Sequence, residues 1–261
     1  MSNQTYQKLL NNFNRIGHCL CVGIDPDLSK LPTKYPQTLN GLDQFLEELI
    51  KDTAQNVIAY KPNISFFEAL GIEGLKLLEK VRKYIPSSVP LVLDAKRGDI
   101  GNTAKMQARY LFDYFGADAS TLHPYMGIDS LEPFFQYKQQ LHFVLGLTSN
   151  PSSNDFEKLL LNTQIPLYEH IIKQCIEWNK TFANIGIVAG ATHKELSKIR
   201  KLDDKLLLLI PGVGAQGGSY SDAFKEGSNK DNIVLINSSR AILYNNPEMS
   251  FIEKINLAIS E

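Results

Sequence analysis

This chain of 261 residues has little of what marks disulfide-bonded, metal-binding, membrane-spanning or secreted proteins. Its three cysteines, Cys19, Cys21 and Cys175, match neither a disulfide framework nor the spacing of a metal site. It has no run of about 18 apolar residues, so no membrane-spanning helix is predicted. The opening MSNQTYQKLLNNF lacks the apolar core of a secretory signal. We therefore expect reduced thiols and a cytoplasmic protein with no membrane partner.

The chain also lacks an excess of charge of either sign. Twenty-seven Lys and Arg residues oppose 28 Asp and Glu residues, which leaves a formal net charge of −1. This balance provides no electrostatic reason to expect a nucleic acid partner. Any anion that the protein binds must therefore be held by locally placed cations.

What the sequence does contain is an alternation of short apolar runs with amphipathic stretches. The runs are continuous, which is typical of strands buried on both faces of a parallel sheet. Eight strands are predicted, at 18–24, 56–60, 89–94, 117–122, 141–147, 183–189, 206–210 and 232–237. Helices are predicted at 42–53, 103–115, 128–137, 166–179, 193–201 and 247–259.

This order favours a (β/α)8 TIM barrel of the α/β class, with residues 1–261 forming a single domain. An open, doubly wound sheet is the alternative. It is disfavoured because the glycine-rich dinucleotide turn is missing after the first strand, where the chain reads Gly23-Ile24-Asp25-Pro26.

In such a barrel, functional groups lie at the carboxyl ends of the strands and in the loops that follow. Polar or charged residues occupy those positions in this chain: Asp25, Lys61, Asn63, Asp94, Lys96, Asp99, His123, Thr148, Ser149 and Arg240. Few of them suit the packing of a barrel core. Their accumulation at one rim therefore indicates binding or catalysis.

The densest cluster is Asp94-Ala95-Lys96-Arg97-Gly98-Asp99. Residues two apart on an extended strand point the same way, so Asp94 and Lys96 should both face the barrel mouth. Lys61 on the neighbouring strand can join them. A salt-bridge network closing the rim is the structural alternative, but burying several charges usually costs more than their pairing returns. A lysine held as an ammonium ion by carboxylates can instead stabilise negative charge in a transition state.

A phosphate site is predicted next to this cluster. The glycine-rich segment IPGVGAQGG follows strand seven, and NSSRAIL follows strand eight. The loops after these two strands frequently bind phosphate in this fold, and glycines let backbone N–H groups approach an anion. Arg240 can hold a phosphate bidentately and Gln216 can donate to it. The predicted substrate is therefore a phosphate ester.

These residues resemble a known family. The run DAKRGDIGNT, from Asp94 to Thr103, together with Lys61-Pro62-Asn63, resembles the signature of the orotidine 5′-phosphate decarboxylases. The segments VGIDPD, KPNISFFEALG, TLHPYMGIDSLEPF, LTSNPSS, VAGAT, PGVGAQGG and NSSRAI resemble the longer, type 2 bacterial form. The resemblance extends from about Cys19 to Tyr244.

The resemblance implies the reaction and the residues at its centre. The enzyme would convert orotidine 5′-monophosphate to UMP and CO2, the last step of de novo pyrimidine biosynthesis, with no cofactor and no metal. Lys96 would protonate C6 of the pyrimidine, and Lys61, Asp94 and Asp99 would complete an alternating charge network. Asp99 and Thr103 would reach the active site of the other subunit, so a homodimer with shared sites is expected.

The resemblance also implies how the rest of the substrate is bound. Asp25 and Asn63 would contact the ribose or the charge network. Thr148 or Ser149 would lie by the amide edge of the pyrimidine, with the choice between the two left open. Gln216 and Arg240 would hold the phosphate.

Two other functions remain open at this point. Metal-dependent sugar-phosphate decarboxylases or aldolases of the same barrel group share a D-x-K-x-x-D run but carry a carboxylate, not a lysine, after strand two. Lys61 argues against a divalent ion there, since two neighbouring cations repel each other. The second alternative is a non-catalytic nucleotide-binding barrel, in which all of the charged candidates would be idle.

Overall fold

A computed structural model describes residues 3–190, 193–212 and 219–260 and contains eight parallel strands. They are β1 Leu20–Ile24, β2 Ala59–Pro62, β3 Val92–Arg97, β4 Ala119–Leu122, β5 Leu141–Leu147, β6 Ile185–Ala189, β7 Leu208–Pro211 and β8 Leu235–Ser238. Their order in the sheet is β2-β1-β8-β7-β6-β5-β4-β3. Isolated parallel bridges, Tyr60 to Leu91 and Asn63 to Asp94, join β2 to β3. The sheet thus closes into the predicted (β/α)8 barrel.

Helices connect the strands and cover the outside of the barrel. They are α1 Gln4–Ile16, α2 Leu39–Thr53, α3 Ile64–Glu68, α4 Gly71–Tyr84, α5 Gly101–Arg109, α6 Glu132–Phe135, α7 Leu167–Phe182, α8 His193–Leu202, α9 Tyr220–Gly227, α10 Arg240–Leu243 and α11 Phe251–Ser260. A π-helical turn, Tyr110–Tyr114, continues α5, and short 3-10 turns occupy Leu28–Lys30, Ile128–Ser130 and Pro151–Asp155.

The core lies inside the barrel and between the barrel and its helices. Strands β1, β4, β6 and β8 are buried along their whole length, as continuous apolar runs predict. Helix α2 is representative of the outer layer, since Leu42, Phe45, Leu46 and Leu49 are buried on one face. All three cysteines are free and buried.

Helix α1 lies across the amino-terminal end of the barrel. Asn3 caps its first turn, and Gly17 ends it in the left-handed conformation at φ 75°. Its side chains bond to residues that directly precede strands: Thr5 Oγ1 donates to the Asp118 carbonyl at 3.0 Å, and Asn12 Nδ2 donates to the Ile58 carbonyl at 3.3 Å. The opposite, carboxyl-terminal end of the strands is therefore the open end.

Two strand predictions are displaced toward the site. Strand β2 was expected at 56–60 and β3 at 89–94, but both run on past Lys61, Asp94 and Lys96. The predictions follow apolar runs, so they stop at Tyr60 and at Asp94, before the lysines at the mouth. Helices α1, α3, α4, α9 and α10 lie outside the predicted helices. The first turn of α4 contains Gly71 and Gly74, which lower helix propensity, yet a Cβ at Gly74 would lie 2.0 Å from the Phe67 carbonyl oxygen.

Among the residues described, no helix combines the length and the apolar character needed to cross a membrane.

Candidate active site

The centre of the site is the Asp94 carboxylate, which is held by two lysines. The Lys96 ammonium donates to Asp94 Oδ1 at 2.6 Å, and the Lys61 ammonium forms an ion pair with Asp94 Oδ2. Side chains of Lys61 and Asp94 are 8% and 6% exposed, whereas that of Lys96 is 49% exposed. The structure therefore brings together the three residues expected at the mouth, with Lys96 on the solvent side.

Asp94 and Lys96 meet for a reason that differs from the one expected. The sequence predicts that regular alternation along an extended strand places both side chains on one face. Lys96 instead has a positive φ of 45°, and β3 is irregular between Leu93 and Arg97. A bulge of this kind re-aims side chains and is found preferentially near active sites. The local backbone therefore turns the lysine back over its neighbouring carboxylate.

The charges in this cluster stabilise one another. Burial acts to raise the pKa of Asp94, but the Lys61 and Lys96 ammonium groups outweigh it and hold that pKa well below its usual range. Burial likewise acts to lower the pKa of Lys61, but the charges of Asp94 and Asp25 raise it. At neutral pH the cluster is thus an ionised, buried carboxylate between two ammonium groups.

Asp25 lies at the end of β1 beside this cluster. Burial raises the pKa of Asp25, and the Lys61 charge and a hydrogen bond from Ser239 oppose this only in part. Its Oδ1 is buried and has no hydrogen-bond partner within the described residues. Gly23 permits the approach of Ser239, because a Cβ at Gly23 would lie 1.9 Å from Ser239 Oγ. An orphaned carboxylate oxygen at the mouth is suited to accept a bond from a ligand hydroxyl.

Asn63 begins the loop after β2. Its side chain accepts from the Ser65 N–H at 3.2 Å and so caps α3, while its backbone bridges to Asp94. The cap fixes the chain immediately beyond Lys61. Asn63 is therefore placed beside the charge cluster, as expected.

Asp99 and Thr103 do not join the cluster within one chain. Asp99 Oδ1 accepts from the Ile100 N–H at 2.8 Å, and no contact of Asp99 with Lys61, Asp94 or Lys96 occurs in the described part of the chain. Thr103 is exposed in the first turn of α5. The two residues predicted to serve another subunit thus make no described contact with this chain's own cluster.

The loop after β5 distinguishes Thr148 from Ser149. The Thr148 hydroxyl donates toward Glu157 at 2.8 Å and Asn150 at 2.6 Å, and the Thr148 N–H donates to Glu157 at 2.7 Å. Ser149 is exposed and has no side-chain hydrogen bond among the residues described. Glu157 therefore engages the hydroxyl and N–H of Thr148, whereas the Ser149 hydroxyl is available to bind a ligand.

A cavity of about 310 Å³ connects β1 to β8 at this end of the barrel. It is lined by Asp25, Asp27, Lys30, Phe66, Arg240 and Tyr244. Tyr244 fixes its shape, because its hydroxyl accepts from the Asp27 N–H at 2.7 Å and donates to the Asp25 carbonyl at 3.1 Å. Arg240 is exposed at the start of α10, so one cavity brings the predicted phosphate ligand and Asp25 together. Gln216, the other predicted phosphate ligand, lies outside the described residues.

In residues 3–190, 193–212 and 219–260, no group of three or more His, Cys, Asp or Glu side chains is arranged to hold a metal ion.

Comparison with known proteins decides the family. A family model described as "Orotidine 5'-phosphate decarboxylase / HUMPS family" matches residues 18–255. The chain belongs to this family. The family resemblance seen in the sequence is thereby confirmed.

Relatives of the decarboxylase family support this over nearly the whole chain. An orotidine 5′-phosphate decarboxylase of Herpetosiphon aurantiacus is 43% identical over 90% of this chain and 87% of its own length. One from Christiangramia forsetii is 41% identical over 95% of this chain and 92% of its own length. Among solved structures, the OMP decarboxylase of Leishmania donovani is 33% identical with a TM-score of 0.83, covering 99% of this chain and 99% of that one. The predicted fold class is likewise confirmed.

Three residues that contact the predicted site residues lie outside the prediction: Thr121, Glu157 and Ser239. Thr121 bonds to Asp94, Glu157 holds Thr148, and Ser239 bonds to Asp25. Thr121 and Ser239 lie at ends of predicted strands, so the rule that identified the other candidates also applies to them. No comparable signal marks Glu157, which lies in an irregular segment ten residues beyond β5.

Proposed function

We propose that this chain decarboxylates orotidine 5′-monophosphate to UMP and CO2, the last step of de novo pyrimidine biosynthesis, with no metal or organic cofactor. The observation that carries the proposal is the Asp94 carboxylate held between Lys61 and Lys96 at the open end of the barrel. Relatives more than 40% identical over most of the chain bear the name of this activity.

Lys96 is the proton donor in this proposal. The bond from C6 to the carboxylate breaks, CO2 leaves, and the electron pair left on C6 takes a proton from the Lys96 ammonium. No adjacent carbonyl delocalises that pair, so a cation fixed beside C6 stabilises the developing charge. Half of the Lys96 side chain is exposed, and the amine can therefore regain its proton from water.

Asp94 and Lys61 keep that cation in place. Asp94 accepts from both lysines, and buried Lys61 balances the charge of Asp94 when Lys96 gives up its proton. Asp94 is also the group that faces the substrate carboxylate, and repulsion between the two carboxylates is relieved as CO2 departs.

The remaining candidates bind the parts of the substrate that do not react. Asp25 and Asn63 accept from or donate to the ribose hydroxyls, and Ser149 reads the amide edge of the pyrimidine, with Thr148 supporting it. Arg240 and Gln216 bind the phosphate. Phosphate binding at a distance supplies energy that is used at the reacting carbon.

The metal-dependent sugar-phosphate branch of this barrel group is the competing function. Lys61 disfavours it, because the ammonium group already neutralises Asp94 where a divalent ion would bind. Turnover of orotidine 5′-monophosphate should therefore be unchanged in EDTA. Loss of activity on chelation and its return with Mg²⁺ would favour the metal-dependent alternative.

Release of CO2 from carboxyl-labelled orotidine 5′-monophosphate is the direct test. The wild-type protein should release CO2, and Lys96→Ala should lose at least about 1,000-fold in kcat while remaining folded, since the electrostatic and proton-transfer contributions are both removed. Lys83→Ala is the matched control, because Lys83 is exposed on α4. Binding of UMP without turnover would favour a non-catalytic nucleotide-binding barrel.

We further propose a homodimer in which Asp99 and Thr103 complete the partner's site. Asp99 does not contact its own chain's cluster, and large apolar side chains are exposed on the same side of the barrel: Ile100, Met106, Tyr125, Met126 and Ile128. Exposed apolar groups that lie near one another mark an association surface.

Mixing two inactive variants tests the shared site. Lys96→Ala and Asp99→Ala should each be inactive alone, but subunit exchange should restore up to about a quarter of wild-type activity, because one site of each mixed dimer is intact. Lack of recovery in a mixture shown by sedimentation to contain dimers would exclude a shared site.

We also propose a cytoplasmic location, which the three free, buried thiols support. Cell fractionation tests it.

A further inference from the structure

The pairing register of strands β3 and β4 shifts beside the charge cluster. Leu93 pairs with Ser120, and the next pairing joins Arg97 to Leu122. Between these pairings β3 advances four residues, whereas β4 advances two. Asp94, Ala95 and Lys96 thus lie opposite a single residue of β4 and form a bulge.

Thr121 is the β4 residue opposite this bulge, and its hydroxyl fills the gap. Thr121 Oγ1 accepts from the N–H groups of Ala95 at 3.1 Å and Lys96 at 3.0 Å. It donates to Asp94 Oδ1 at 2.7 Å. A hydroxyl has one proton and two lone pairs, so its hydrogen-bonding capacity is fully used. Thr121 is 1% exposed, so these bonds are shielded from solvent.

We propose that Thr121 is a positioning residue for the reaction: it orients the Asp94 carboxylate and holds the Lys96 backbone in the bulge that turns the amine toward C6. The proposal rests on the proposed decarboxylase function. One hydroxyl thereby controls both members of the pair at once, through the side chain of Asp94 and through the main chain of Lys96.

The surroundings show why a third contact to Asp94 is needed. Lys61 from β2 holds one carboxylate oxygen, and Lys96 from β3 shares the other with Thr121. Asp25, which follows β1, adds a repelling charge. Lys96 is half exposed and must release its proton during turnover. Thr121 is thus the donor to Oδ1 that neither moves nor changes charge in the reaction.

The positive φ of Lys96 points the same way. The left-handed region is unfavourable for a residue with a Cβ, and such a residue stays there only when the surroundings enforce it. The bond from the Lys96 N–H to Thr121 is such a constraint. Removing the hydroxyl should therefore relax the bulge as well as free the carboxylate.

The test compares Thr121→Val, which keeps the shape and removes the hydroxyl, with Thr121→Ser, which keeps the hydroxyl. Ser120→Ala is the matched control, because buried Ser120 also donates from β4 to β3, to the Leu93 carbonyl at 2.8 Å, but does not touch the cluster. Thr121→Cys, whose thiol is a weaker donor, replaces Thr121→Val if the latter does not fold.

Thr121→Val should lower kcat by about tenfold or more, the equivalent of one hydrogen bond to a charged group. The Kd for UMP, which has no carboxylate at C6, should stay within about threefold of the wild-type value. Thr121→Ser should restore kcat, and Ser120→Ala should match the wild type. A kcat of Thr121→Val within about twofold of the wild type, or equal losses in Thr121→Val and Ser120→Ala, would overturn the proposal.

Amide hydrogen exchange separates this proposal from the proposed function. Exchange of the Ala95 and Lys96 amides should accelerate about tenfold or more in Thr121→Val, because both lose their acceptor, but not in Ser120→Ala. If the wild-type protein releases no CO2, the proposed function fails and the exchange rates alone decide whether Thr121 holds the bulge. Unchanged exchange at both amides would refute that role.

Discussion

Replacing Lys61 with methionine removes one cation from the buried charge cluster and keeps nearly the same side-chain length. Lys61 and Asp94 are 8% and 6% exposed, so the pair is largely shielded from water. Removing one partner of a buried pair costs about 3–5 kcal/mol, because the other charge stays buried. Asp94 keeps its bonds from Lys96 and Thr121, so we expect a loss of about 3 kcal/mol in the free energy of unfolding.

The loss should grow as the pH rises from 5 to 8. Burial raises the pKa of Asp25, and the Lys61 charge opposes that rise. Without Lys61 the pKa of Asp25 rises further. The folded protein then binds the Asp25 proton more tightly than the unfolded chain does, so the free energy of unfolding decreases as the pH rises. Loss of Lys61 raises the pKa of Asp94 as well, because the Lys61 charge is the strongest influence that lowers it, and this changes stability with pH in the same direction.

Urea unfolding at pH 5 and pH 8, followed by circular dichroism, measures this difference. Lys76→Met is the control, because Lys76 pairs with Glu73 on the exposed face of α4 and should show no change at either pH. A Lys61→Met protein within about 1 kcal/mol of the wild type at pH 8, or one that loses more at pH 5, would refute the reasoning.

Other substitutions and reagents test individual assignments. Arg240→Ala should lower kcat/KM by about 100-fold in steady-state assays, because its charged bonds to phosphate are lost, and an unchanged value would remove Arg240 from the phosphate site. Ser149→Ala should raise KM about tenfold, whereas Thr148→Val should chiefly lower the Tm, because Glu157 holds Thr148; the reverse pattern would exchange their roles. The three cysteines, whose pKa values burial raises to about 12, should react with a thiol reagent only in denaturant, and labelling of the native protein would contradict this.

The charge cluster could be predicted from the sequence because its members lie at the ends of neighbouring strands. Strand ends of a parallel barrel meet at one rim, so the order of the strands alone brings Lys61 close to Asp94. The bulge in β3 could not be predicted, since it depends on the register against β4 and on one hydroxyl. From the sequence alone, Thr121 is an ordinary β-branched strand residue, and only the pairing of β4 with β3 shows that its hydroxyl contacts Asp94.

Other parts of the site depend on contacts that no local pattern reveals. Glu157 meets Thr148 only because an irregular segment folds back onto β5. The role of Asp99 depends on a second copy of the chain and stays a prediction. Helix α9 is eight residues long and was not predicted, although Ser219 caps its first turn, because a short helix has few apolar positions from which to recognise a period.

Helix α1 has a consequence for the order in which the barrel is assembled. Tyr6 on this helix donates to Asp231 at 2.7 Å, across 225 positions of the chain. The first helix therefore cannot complete its contacts until the residues just before the last strand have been synthesised and placed. Contacts between distant parts of a chain slow folding, since the loop between them must close first. Barrel closure and the docking of α1 should accordingly occur as one late kinetic step.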